Sequence, residues 1–170
     1  MRMLPKLLEM LGGALLIFLV IASSGAQTIQ ELQRRFDREA NSVSKAKLME
    51  KLGDAQFEVA RHAGQENDND TVDLTMEKYR DNVRAALEAL KKQHPDAEKH
   101  SNGYRQLEMQ LKLGIREAQD SWLAAPPAYK PPLQIVRQDL LAMDDEMIRL
   151  LFPHQPADPK HATPPPEKQP

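Results

Sequence analysis

The chain reads as an all-α protein, either a four-helix bundle or stacked helical hairpins, and three observations predict this class. Apolar residues recur at steps of three and four through long stretches, the period of an amphipathic helix. No stretch alternates apolar and polar residues as a half-buried strand does, and no Asn-Gly turn joins two such stretches. Of the 13 prolines, all but Pro5 fall between or after the apolar stripes, where a helix has to stop.

The first residues read as an export signal. Arg2 and Lys6 precede the apolar run LGGALLIFLVIA, Leu11 to Ala22, and Ser23-Ser24-Gly25-Ala26 supply small side chains for a peptidase. The run is shorter than the ~20 residues a membrane-spanning helix needs. Residues 1–26 are therefore expected to be a signal peptide cut after Ala26, with the product periplasmic or secreted. The competing reading is an uncleaved anchor, because no charge occurs between Glu9 and Glu31. No cysteine follows the run, so a lipoprotein anchor is excluded, and disulfides, thiol catalysis and thiolate-bound clusters are excluded with it.

Helix one is expected from Thr28 to Ala63, on the stripe Ile29, Leu32, Phe36, Ala40, Val43, Leu52, Ala55 and Val59. Gly53 is a poor helix former, so a bend or break is expected near it. Helix two is expected over 71–93, on Val72, Met76, Tyr79, Val83, Leu87 and Leu90, stopping at His94-Pro95. Ser101 or Asn102 is a candidate cap for helix three, whose stripe runs Tyr104, Leu107, Leu111, Ile115, Ala118 and Trp122. The segment AAPPAYKPP, 124–132, is expected to be an extended crossover. Helix four follows on Leu133, Val136, Leu140, Met143, Met147 and Leu151, with Pro132 in its first turn. Residues 27–152 thus read as one helical domain. Residues 153–170, with no apolar residue large enough to pack, read as a disordered proline-rich tail.

Charge narrows the partners. With 23 Lys+Arg against 25 Asp+Glu the chain carries a net −2, and loss of Arg2, Lys6 and Glu9 with the leader takes it to −3. So even a balance suggests neither nucleic acid nor an anionic membrane as a partner, and contact with a membrane is expected only through an uncleaved N-terminal segment.

Tests for chemistry return little. A carboxylate-bridged di-iron bundle needs Glu-x-x-His on two helices, but Val59, Lys91, Ala97, Leu151 and Asp158 stand three residues before the five histidines. H-E-x-x-H and G-x-S-x-G are absent. His94 and His100 flank one polar loop, where two solvated histidines are a commoner finding than a metal site. Phe36, Met76, Tyr79, Met143 and Met147 fit core packing better than a ligand pocket. No cofactor and no catalytic residue is expected.

The acidic stretch 64–79 is the one segment that resembles a site. Setting Glu66 as the first position of a twelve-residue calcium loop places Asp68, Asp70 and Glu77 at further ligand positions. Against this, Thr71 stands where the loop needs glycine and Asp73 where it needs an apolar residue. A helix-hairpin turn accounts for the same residues: Gly64 ends helix one, Asp70 or Thr71 caps helix two, and Asp73 adds favourable charge to its first turn. The turn is the preferred reading.

The run KLGDAQFEVA followed by EKYRDNVRAALEAL resembles a tetratricopeptide hairpin, with a Leu-Gly pair in one helix and an aromatic residue inside the next. No second copy follows at the 34-residue period of that family. SNGYRQLEMQLKLGIREAQ, the proline-rich crossover and the closing LLFP resemble small exported bacterial helical proteins of unassigned function. The first resemblance implies protein interaction; neither brings functional residues with it. The expected function is an exported, non-enzymatic helical module that binds another protein or itself. The alternative is a periplasmic protein binding a small molecule or, weakly, calcium.

Overall fold

The computed structural model describes residues 29–153, so the signal peptide and the tail beyond Pro153 lie outside the described residues. Five α-helices follow one another: α1 (29–38), α2 (Ser42–Gln65), α3 (Asn69–Gln93), α4 (Ser101–Ala124) and α5 (Lys130–Leu151). The described residues contain no strand. Helices α2 and α3 form one hairpin and α4 and α5 a second; α2 packs on α4, while α3 packs on both α4 and α5. One apolar core runs through all five helices, from Phe36 in α1 to Leu151 in α5.

The expected helix one is two helices, and it breaks at 39–41 rather than near Gly53. Asn41 caps α2 by accepting from the Ser44 amide at 2.9 Å. From α3, the Gln93 side chain donates to the Ala40 carbonyl at 2.6 Å and accepts from the Ser42 amide at 3.0 Å. A break in a helix leaves backbone groups without partners, and here a distant glutamine supplies them. Ala40 lies in the break and is exposed, and Val59 is 36% exposed, contrary to the expected stripe. Met49, Leu52, Gly53, Gln56, Phe57, Ala60 and Ala63 make the buried face instead.

Gly53 lies in unbroken helix because of what it faces. The Tyr79 ring of α3 is fully buried and slots between Gly53 of α2 and Gly114 of α4. A Cβ at Gly53 would stand 3.0 Å from Tyr79 Cε2, and one at Gly114 would stand 2.6 Å from Tyr79 Cζ and Oη. The two glycines thus let three helices close on one ring. The Tyr79 hydroxyl donates to the Gln110 carbonyl at 2.6 Å, and Phe57 packs against the ring at a 4.6 Å centroid distance. Burial pushes the Tyr79 phenol well above its usual range.

The stripes of α3 and α5 are buried as the spacing predicts, residue by residue. In α4, Tyr104, Leu107, Leu111 and Ala118 are buried while Ile115 and Trp122 are only partly covered. Neither Ser101 nor Asn102 caps this helix; both lie in its first turn, and His100 at the cap position makes no side-chain hydrogen bond. The crossover is also shorter than expected. Ala125 and Pro126 are extended, Pro127–Tyr129 make a 3-10 turn, and α5 starts at Lys130. Lys130 Nζ sits 4.6 Å from the centre of the Trp122 ring, which closes the corner between α4 and α5. Helix pairs are laced by ion pairs at the surface: Arg84 to Asp139 at 2.9 Å, Lys91 to Glu146 at 2.7 Å and Arg61 to Glu117 at 2.8 Å.

Candidate functional site

The acidic stretch folds as a tight helix-hairpin turn. Asn67 takes a left-handed conformation, φ 60°, its amide donates to the Gly64 carbonyl at 3.2 Å, and the Asp68 amide donates to the Ala63 carbonyl at 2.9 Å. This pair of bonds is the Schellman arrangement that ends a helix, with asparagine in the place glycine usually takes. Gly64 therefore does not end the helix as expected; it lies inside α2. Asp68, rather than Asp70 or Thr71, caps α3: Oδ1 accepts from the Thr71 amide at 3.1 Å and Oδ2 from the Thr71 hydroxyl at 2.6 Å. These bonds hold the Asp68 carboxyl below its ordinary range, the hydroxyl having the larger effect.

Of the four candidate calcium ligands, Glu66 closes α2, Asp68 is engaged by Thr71, and Asp70 and Glu77 are already in α3. The turn does not gather them, and among the described residues no three His, Cys, Asp or Glu side chains are grouped to hold a metal. Asp73 does not add simple favourable charge either. It is half-buried, Oδ1 lacks a partner among the described residues, and burial, then Glu77 and Asp70, pushes its carboxyl up to about 6. His94 and His100 do meet, with ring centroids 5.1 Å apart. In the loop between them Asp96 is committed elsewhere, since it accepts from the Lys99 amide at 3.1 Å and pairs with Lys99 Nζ at 2.8 Å.

A different site emerges at the α1–α2 elbow. Arg35 and Arg38 on α1 and Lys47 and Lys51 on α2 line an open groove of about 700 Å³, with Leu48 and the α4 residue Gln106 also in its wall. All four cations are exposed, and none has a carboxylate within 4.0 Å among the described residues. Two carboxylates share the groove, and Glu39 already accepts from the Asn41 amide at 2.9 Å. Buried beside the groove, the Gln106 Oε1 has no hydrogen-bond partner among the described residues. Elsewhere Arg61, Arg80, Arg84 and Lys91 each hold a carboxylate, whereas the elbow gathers four unpaired cations around one groove. Chemically it can recognise carboxylates or other anions. Sequence reading missed it because the cations belong to two helices that only the break at 39–41 folds toward each other; the signal that could have found it is the density of Arg and Lys between 34 and 51.

Compared with family models, with curated proteins and with solved structures, the chain matches none. No described helix is long and apolar enough to cross a membrane.

Proposed function

We propose that the chain is an exported, non-enzymatic helical module of the cell envelope that docks a partner protein through the α1–α2 elbow. The observation that supports this reading is the groove with four unpaired cations around an apolar floor residue, Leu48. Such a surface suits a peptide segment carrying acidic side chains, since exposed charge of one sign steers a complementary partner and fixes its register. The signal-like N-terminus supports export. The stacking of one helical hairpin on another is the architecture that interaction repeats use to present extended surfaces.

The test is capture of partners from the native envelope with the wild-type protein and with an Arg38→Glu/Lys51→Glu variant, at low and high salt. Both positions are exposed, so the variant keeps the fold. A partner held by the wild type at low salt, and lost on charge reversal, is the expected result. A partner retained equally by the variant would move the docking surface elsewhere. Self-association is read in the same samples by sedimentation.

A further inference from the structure

We propose that a second cavity, between the C-terminal ends of α2 and α4, binds a small organic ammonium ion with a compact apolar body. The cavity holds about 430 Å³ and is lined on one side by Ala60 and Val72 and on the other by Glu117 and Asp120. That volume lies within the ~300–1,000 Å³ usual for small-molecule sites.

Gly64 opens this space. A Cβ added at Gly53, Gly103 or Gly114 would collide with or press on a packed side chain. At Gly64 it would meet, among the described residues, only Val72 Cγ2, at an ordinary 3.9 Å. This glycine serves no close approach of helices, and the room beside it is the cavity.

The electrostatics choose the ligand's sign. Two helix C-termini, at Gln65 and Ala124, converge here, and each carries the negative end of a helix dipole. No basic residue lies in the last turn of α4. Among the described residues Arg61 is the one cation in the wall, and it is already held by Glu58 at 2.7 Å and Glu117 at 2.8 Å. Asp120 has no cation within 4.0 Å among the described residues. The positive N-terminal end of α3 also reaches this corner, but the Asp68 carboxylate already caps it. The wall is therefore negative beside an apolar floor. An ammonium group pairs with Asp120, and an alkyl or aryl body covers Ala60 and Val72.

Three probes of one shape and different charge test this: phenethylammonium, 2-phenylethanol and 3-phenylpropionate, titrated into the protein and followed by amide chemical shifts. Phenethylammonium should move the Gly64, Asn67 and Ser121 resonances to saturation, while the carboxylate binds at least about tenfold more weakly. Asp120→Asn, at an exposed position, should weaken the ammonium about tenfold and leave 2-phenylethanol unchanged. Gly64→Leu fills the space and should abolish the shifts without lowering the melting midpoint. Equal binding of all three probes, shifts that survive Gly64→Leu, or no shift at about 10 mM phenethylammonium would each overturn the proposal.

Discussion

Replacing Gly114 with alanine sets two forces of known sign against each other. Helix propensity favours alanine over glycine inside a helix by about 0.8–1.0 kcal/mol, so propensity alone stabilises the variant. Packing opposes it, because the new methyl would stand 2.6 Å from Cζ and Oη of the buried Tyr79 ring. Either the ring or α4 must shift, and overpacking of this kind costs about 1–3 kcal/mol. The shift also endangers the Tyr79 hydroxyl bond to the Gln110 carbonyl, worth about 1 kcal/mol. Packing therefore wins, and Gly114→Ala should destabilise by about 1–3 kcal/mol net. Gly64→Ala is the internal control, since its methyl meets only an ordinary contact and propensity should act unopposed. Urea denaturation of both variants gives the two signs directly. The cause is then isolated in a Tyr79→Leu background, where Gly114→Ala should lose most of its cost. If Gly114→Ala raises the midpoint, or costs as much without the ring as with it, the account of three helices closing on Tyr79 is wrong.

Leu140 is fully buried on α5, so Leu140→Ala should cost about 2–5 kcal/mol in chemical denaturation, and an unchanged midpoint would take α5 out of the core. Asp73 carries a carboxyl raised to about 6, so the folded chain binds its proton more tightly than the unfolded chain, and stability falls as pH rises from the ordinary carboxylate value towards that point. Asp73→Asn removes this loss: its advantage over wild type should be near zero at pH 4 and about 1 kcal/mol at pH 7 after solvent screening, and a constant offset across pH would contradict the assignment. Because Asp68 is committed to Thr71 and Glu77 is already in α3, millimolar calcium should leave the melting temperature unchanged. A rise that Glu77→Gln abolishes would restore the calcium reading.

The helices whose burial was legible in the sequence are those whose inward positions are large and apolar. Val72 to Leu90 in α3 and Leu133 to Leu151 in α5 repeat at three and four with few interruptions, and that pattern reports the buried face directly. In α2 the buried face includes Ala46, Gly53, Gln56, Ala60 and Ala63, small or polar residues that no hydropathy stripe reveals. Their burial follows from the partner helices, and at Gly53 from the Tyr79 ring. The break at 39–41 contains neither proline nor glycine, and Gln93, which satisfies its backbone groups, lies over 50 positions away. The candidate sites were hidden for the same reason. The elbow needs that break to exist, and the cavity by Gly64 needs two helix ends to meet, whereas the acidic turn, conspicuous in sequence, commits Asp68 to capping α3 and carries Asp70 and Glu77 into the helix.

Gln93 gives the N-terminal helix an unusual dependence. Its two hydrogen bonds join the last residue of α3 to both sides of the elbow, and the reciprocal amide pair of Gln33 and Asn82, at 2.9 and 3.0 Å, fastens α1 further up the same helix. Helix ends fray more readily than helix centres, and an opening of the last turn of α3 withdraws the partners of Ala40 and Ser42 in the same movement. Winding of the α3 tip therefore supports the elbow, and with it the basic groove, through a helix terminus remote in sequence. A partner that binds across the groove is then in effect gripping the end of α3 as well, and its grip would be felt as slower exchange of the amides at 90–93, beyond the cations it touches.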